Sequence, residues 1–148
     1  MFDVIKMADY AAEALIRFSQ EHPDETCYVF CLDASLLCLN TLEALEEVVK
    51  VLERTTQPTY SRAQAIEAMK EDLNTGDWPH QGFADLRDGE GFDMDLYDQH
   101  YNAPDEQQTD SEYAKAMDGL LAELHHRKAF DVLRKTDDFW TARVEHSY

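Results

Sequence analysis

Four side chains that lie close together in the sequence have the clearest chemical potential: Asp93, Asp95, Asp98 and His100. Carboxylate and imidazole groups bind several divalent metals, and they are also common general acids and bases. Their order follows no strong spacing rule for a metal site or a catalytic centre. A metal-dependent hydrolase that uses this cluster is therefore an alternative interpretation and not the leading one.

The run of residues 88–95 has the composition of a calcium-binding EF-hand loop but not its spacing. An EF-hand needs carboxylates at positions one, three and five and a glycine at position six. If Gly89 is placed at position six, Ala84 falls at position one, and if Gly91 is placed there, Leu86 does. Neither frame supplies the first ligand, so an EF-hand is excluded.

The sequence contains no recognisable motif for nucleophilic catalysis. It lacks a Gly-x-Ser-x-Gly elbow, a phosphate-binding glycine-rich loop and a His-Glu-x-x-His pair. Cys27, Cys31 and Cys38 lie in apolar, strand-like sequence, which favours buried free thiols over a disulfide framework or a reactive cysteine. We therefore expect a protein that is not an enzyme and that needs no cofactor.

The other histidines give no ligand pattern in the sequence. His125 and His126 are adjacent, so on a helix their side chains diverge and make no ready chelating pair. His22, His80 and His146 are isolated from one another in the sequence. We expect each of these three to be solvated or to make a single hydrogen bond.

Residues 85–112, called the acidic segment below, contain ten acidic residues and a single arginine, which is about half of the net charge of the chain. Carboxylates attract a basic partner and raise its association rate, and aromatic side chains supply contact area that holds it. The alternative is a solvated loop whose aromatic residues only attach it to the body. We predict a partner-binding surface made of Asp85, Asp88, Glu90, Phe92, Asp93, Asp95, Tyr97, Asp98 and Tyr101.

The elements that must position this segment follow from hydrophobic periodicity and turn signals. Helical spacing of apolar residues predicts helices over residues 3–20, from residue 42, from residue 61, and over residues 111–127. Residues 26–32 and 36–39 predict an antiparallel hairpin, and residues 139–146 a final half-buried strand. Residues 77–110 are expected to form loops with one short strand near Phe83. The prediction is a single α+β domain over residues 1–148, with a small, mainly antiparallel sheet of three to five strands against about four helices.

Overall charge limits the class of partner. The 148 residues include 31 acidic and 13 basic side chains, for a formal net charge of -18. This balance argues against direct binding to nucleic acid or to an anionic membrane, because proteins bind both of these mainly through Lys and Arg. It favours a basic protein as the partner. No signal peptide and no membrane-spanning stretch is visible in the sequence, so a cytoplasmic location is expected.

Several short motifs together resemble a known family. They are the N-terminal helix, the strand at residues 26–33, residues 39–41 opening a helix, residues 76–79, the helix at residues 120–124, Phe130, and the strand at residues 140–146. This pattern is similar to a bacterial α+β family of uncharacterised function whose members include immunity-type proteins encoded near polymorphic-toxin genes. The resemblance covers most of the chain except residues 85–110, and it carries no functional residue over.

The resemblance and the charge pattern together lead to one functional hypothesis. It is an immunity-like cytosolic protein that binds a toxic effector domain with a basic cleft and blocks it through the acidic, aromatic surface. Besides the metal-dependent hydrolase, a second alternative is an acidic nucleic-acid mimic or regulatory adaptor.

Overall fold

A computed structural model describes residues 1–55 and 60–145, and in these ranges it contains six α-helices and a four-stranded mixed sheet. The helices are α1 Val4–Glu21, α2 Leu42–Thr55, α3 Arg62–Lys70, α4 Met94–Tyr101, α5 Asp105–Gln108 and α6 Glu112–His126. The strands are β1 Cys27–Asp33, β2 Leu36–Thr41, β3 His80–Asp85 and β4 Lys135–Val144. The α+β class with a small sheet packed against helices is confirmed.

The strands follow the order β3-β2-β1-β4 across the sheet. β1 and β2 form the predicted antiparallel hairpin, β3 is antiparallel to β2, and β4 is parallel to β1. The hairpin turn places Ala34 at a positive φ of 54°. The Tyr113 hydroxyl of α6 donates a hydrogen bond to the Ala34 carbonyl at 2.8 Å, so α6 holds the turn in place.

β1 is the centre of the fold because apolar side chains cover both of its faces. All seven of its residues are buried. On one face Phe30 and Leu32 join the core that includes residues of α1 and α6. On the other face Tyr28 and Cys31 pack in a smaller core with Leu45 of α2. A strand that is covered on both faces has a continuous apolar sequence. This is why the sequence predicted β1 so clearly.

The inward faces that apolar spacing predicts for α1 and α2 are largely confirmed, since Leu15 and Phe18 of α1 and Leu45 of α2 are buried. The same spacing also predicts that Ile5 of α1 and Val48 of α2 point inward, but these two side chains are 53% and 45% exposed. α1 packs against α6, and its buried residues include Ala8, Ala11 and Ala14. Small side chains allow neighbouring elements to approach closely, which suits these alanines to the buried face of α1.

The predicted short strand near Phe83 is confirmed as β3, but the expectation of loops over the rest of residues 77–110 is wrong. This range also contains α4 and α5. α4 begins at a proper N-cap, since the Asp93 carboxylate accepts a hydrogen bond from the Leu96 amide at 3.0 Å. The helix has only eight residues and mixes charged with aromatic side chains, so it leaves no long apolar periodicity to detect.

The three cysteines are free and buried, as predicted. Burial raises the pKa of Cys27 and Cys31 to about 12 and that of Cys38 to about 11, which keeps these thiols protonated and unreactive. No helix in the described ranges has the length and apolar character needed to cross a membrane. Pro58 predicts a loop between the second and third helices, and this loop and the predicted strand end at His146 lie outside the described residues.

Candidate functional site

Two of the predicted surface carboxylates have structural roles within the acidic segment. Asp85 caps a short 3-10 turn and forms a salt bridge with Arg87 at 2.7 Å. Burial alone would raise the pKa of Asp85, but its hydrogen bonds with Arg87 bring that pKa below its ordinary value. Asp93 pairs with the ammonium group of Met1 and caps α4, and these bonds lower its pKa. Both carboxylates hold the segment in shape.

Aromatic residues attach the acidic segment to the body. The Phe92 ring meets that of Phe2 edge-on with centroids 5.3 Å apart, and the Tyr97 ring meets Tyr113 of α6 at 5.0 Å. Phe92 and Tyr97 are only partly exposed and pack against the main core. They therefore anchor α4 as the alternative interpretation proposed, and their exposed area for a partner is limited.

The remaining predicted residues lie at the surface. Glu90 is exposed and pairs with Lys6 of α1 at 3.2 Å. Asp88, Asp95 and Asp98 are exposed and have no salt bridge to any residue in the described ranges. Asp95 and Asp98 are three positions apart on α4, so they share one side of that helix. Tyr101, a further three positions along, is 54% exposed.

A cavity of about 470 Å³, with polar and apolar side chains in its walls, lies beside α4. Its walls include Tyr97 and Tyr101 of the acidic segment, Tyr113 of α6, and the carboxylates Asp33 and Glu145. Carboxylates next to aromatic rings suit a cationic group, which gains both charge pairing and contact with the ring faces. Tyr101 thus connects the exposed carboxylates of α4 with a cavity that fits the same charge preference.

His100 connects three elements at the base of this cavity. It is 4% exposed. Its Nδ1 lies 2.5 Å from the Ser111 hydroxyl and its Nε2 lies 3.1 Å from the Glu145 carboxylate. The Ser111 oxygen also accepts the Ala114 amide at 3.0 Å as the N-cap of α6. A neutral imidazole that accepts at Nδ1 and donates from Nε2 satisfies every one of these bonds.

This geometry gives the hydrolase alternative no support. Both nitrogens of His100 are engaged, Asp93 is committed to capping α4, and these groups do not converge with Asp95 and Asp98 on one point. The serine–histidine–carboxylate order around His100 resembles a catalytic triad in composition. Its serine, however, is a helix cap, which explains the arrangement structurally.

The contribution of His100 to the stability of the protein should depend on pH. Burial lowers the pKa of His100, and the nearby Arg143, which itself pairs with Glu145, lowers it further. Because the folded protein favours the neutral ring, the unfolded chain takes up more protons as the pH falls below about 6.5. The neutral His100 ring therefore makes its full contribution to the free energy of unfolding near pH 7.5. This contribution is lost as the pH falls through the lowered pKa.

We expect the difference in unfolding free energy between wild type and His100→Gln to be largest near pH 7.5 and to shrink toward pH 5. Urea denaturation at several pH values measures it, and the paired comparison removes the general effect of protonating carboxylates. A difference that grows on acidification would mean that His100 is charged and paired with Glu145.

Replacing Asp95 and Asp98 together by Asn should leave the free energy of unfolding within about 0.5 kcal/mol of wild type or raise it. Both side chains are exposed, and their removal reduces repulsion on a strongly negative surface. Asp93 is left intact because it caps α4. Chemical denaturation gives the answer, and a loss of more than about 2 kcal/mol would place these carboxylates in buried hydrogen bonds and not on a free face.

Sequence reasoning missed a second group of polar residues. His22 and His80, which were expected to be isolated, join Glu25 and place three potential metal-ligand atoms within 4.8 Å of one another. In the described ranges they are the one group of at least three such residues that converges in this way. The i,i+3 spacing of His22 and Glu25 was visible in the sequence, but the approach of His80 depends on the pairing of β3 with β2.

A third feature is an apolar groove of about 650 Å³ along α2. Val48 and Val51, which are 45% and 53% exposed, line it together with Glu43, Glu47 and His80. This groove offers more apolar surface than the acidic segment does. It is therefore the natural competitor in any experiment that maps a partner-binding face.

Comparison with protein-family models, with curated proteins and with solved structures gives no match to this chain.

Proposed function

We propose that this protein is an immunity-like binding protein of the cytoplasm, which recognises a basic toxin or effector domain through the acidic segment and occludes it. The observation that carries the proposal is the exposed side of α4. There, Asp95 and Asp98 have no salt bridge to a described residue, and Tyr101 connects them with the tyrosine-lined cavity.

Rigid attachment of this face supports a binding role. A flexible acidic tail would lose conformational entropy on binding, whereas α4 is already fixed by the Tyr97–Tyr113 contact and by the Asp93 cap. The glycine at position 91 adds a further attachment, because its carbonyl accepts the Asp3 amide at 2.9 Å. The carboxylates are therefore displayed in a fixed arrangement before any partner arrives.

The cavity supports a basic partner in particular. A Lys or Arg side chain entering beside Tyr101 would meet the faces of tyrosine rings and the Glu145 carboxylate, which now pairs with Arg143 and His100. Effector domains that act on nucleic acids or nucleotides present basic clefts, and a negatively charged surface fits such a cleft. The net charge of -18 would speed the encounter over a longer range.

The test begins with the tagged protein as bait in its source cell, followed by purification of the captured basic protein. Binding kinetics are then measured for Asp95→Asn/Asp98→Asn and for Tyr101→Ala. Neutralising the carboxylates should lower the association rate about 3- to 10-fold at low salt. Truncating Tyr101 should mainly raise the dissociation rate, because an aromatic anchor acts through desolvated contact.

Matched controls come from α2 and the region before α3. Glu46→Gln/Glu47→Gln removes the same charge from an exposed helix face, and Tyr60→Ala removes a tyrosine that is 46% exposed. Both controls should bind like wild type. If the α2 variant weakens binding and the α4 variant does not, the partner uses the groove along α2, and the assignment to the acidic segment is wrong.

A further inference from the structure

Three elements bring the side chains of His22, Glu25 and His80 together. His22 is the C-cap residue of α1, Glu25 lies in the short connection to β1, and His80 is the first residue of β3. The Nδ1 of His22 lies 2.8 Å from one Glu25 oxygen, and the Nε2 of His80 lies 2.9 Å from the other. Two imidazoles therefore point ring nitrogens at one carboxylate.

The surrounding residues fix these side chains before any ligand binds. The Phe18 ring packs on both imidazoles, with centroids 4.6 Å from His22 and 4.8 Å from His80. The Thr41 hydroxyl donates a hydrogen bond to Glu25 at 3.2 Å. The side chains of His22, Glu25 and His80 are 35%, 25% and 15% exposed, so the group is partly shielded but reachable from solvent.

We propose that His22, Glu25 and His80 bind one Zn²⁺ ion. Zinc takes imidazole nitrogen and carboxylate oxygen at about 2.0–2.2 Å in tetrahedral geometry, so its ligand atoms stand about 3.3 Å apart. The two nitrogen–oxygen separations are 2.8 and 2.9 Å, and all three ligand atoms lie within 4.8 Å of one another, so side-chain movements of about 1–2 Å reach that spacing. Zinc would bind the ring nitrogens that now face Glu25, each neutral imidazole would carry its single proton on its other nitrogen, and a charged ring would release its second proton to solvent.

The donor set decides which class of metal fits. Two imidazoles with one carboxylate suit zinc and its neighbours in the first transition row, whereas Mg²⁺ and Ca²⁺ prefer an all-oxygen set. Thr41 would orient the Glu25 ligand from outside the coordination sphere, which is the usual arrangement around bound zinc.

Three protein ligands leave one tetrahedral position for water or for an external group. Glu25 and His80 also line the apolar groove along α2, next to exposed apolar side chains such as Val48. The remaining coordination position therefore lies beside a surface that an external ligand can reach. This assignment concerns a different part of the molecule from the acidic segment and stands independently of the proposed partner.

The proposal is tested by titrating metal-free protein with ZnCl₂ in a calorimeter and by following thermal unfolding with ZnCl₂ or MgCl₂. Zinc should bind at one equivalent and, at about 100 times the dissociation constant, raise the melting temperature by about 5 °C or more. Magnesium should do neither. His22→Asn and His80→Asn should each weaken zinc binding at least 10-fold.

The control is His126→Asn, which removes an exposed histidine from the end of α6 and should bind zinc like wild type. Circular dichroism of each metal-free variant establishes that it is folded before titration. If wild type shows no one-equivalent site, or if both variants keep wild-type affinity, the proposal is wrong. If both variants keep wild-type affinity, zinc binds elsewhere on the acidic surface, and His22, Glu25 and His80 form only a hydrogen-bonded cluster.

Discussion

Replacing Phe30 by alanine is expected to lower the free energy of unfolding by about 3–5 kcal/mol, the largest effect of any substitution considered for this protein. Phe30 is fully buried in the central strand β1. Its ring lies 4.9 Å from that of Phe130 and 6.5 Å from that of Phe83, measured between centroids. Removing it leaves a cavity that neighbours in two paired strands cannot fill without disturbing the sheet.

Chemical denaturation of both proteins measures this loss. Val51→Ala provides the matched control, because it also truncates an apolar side chain but at a position that is 53% exposed on α2. The control should stay within about 0.5 kcal/mol of wild type. A loss below about 1.5 kcal/mol for Phe30→Ala would mean that β1 is not the centre of the core.

Replacing Gly91 by alanine should destabilise the protein by about 2 kcal/mol or more. Gly91 has a φ of 102°, which L side chains rarely adopt, and a Cβ built there would lie 2.6 Å from the Asp3 carbonyl oxygen. The same residue accepts the Asp3 amide, so the added methyl group would push the acidic segment away from the start of α1.

Gly119→Ala is the natural comparison. Gly119 lies inside α6, and a Cβ there would meet the Val4 side chain at 3.6 Å, an ordinary contact distance. Alanine favours a helix over glycine, so this variant should gain about 0.5–1 kcal/mol. Opposite signs for the two variants in thermal or chemical unfolding are the expected result. Equal and small effects would show that the acidic segment is not held against α1.

Much of the fold was predictable because its strongest signals are local. The apolar run of β1, the Ser61 capping box and the Ser111 cap each depend on residues close in sequence. The exposure of Ile5 in α1 was not predictable in the same way, because tertiary packing decides which end positions of the apolar face are covered. Helix α4 was missed because eight mixed residues carry little periodic signal.

The candidate sites show the same division. The carboxylates of the acidic segment are obvious in the sequence, but their division into caps, such as Asp93, and exposed charges, such as Asp98, depends on the backbone. His22 and His80 come together only because elements that are distant in the sequence pack next to each other. No rule of local spacing could have joined them, since 57 residues separate the two histidines.

The most direct test of the central claim is the salt dependence of association between this protein and its captured basic partner. The association rate is measured at ionic strengths of about 0.1 M and 1 M, where the Debye length falls from about 10 Å to 3 Å. We expect a steep fall for wild type and a much shallower one for Asp95→Asn/Asp98→Asn, with the two rates converging at high salt. An association rate that ignores salt, or an equal salt dependence in both proteins, would contradict recognition through the acidic face of α4.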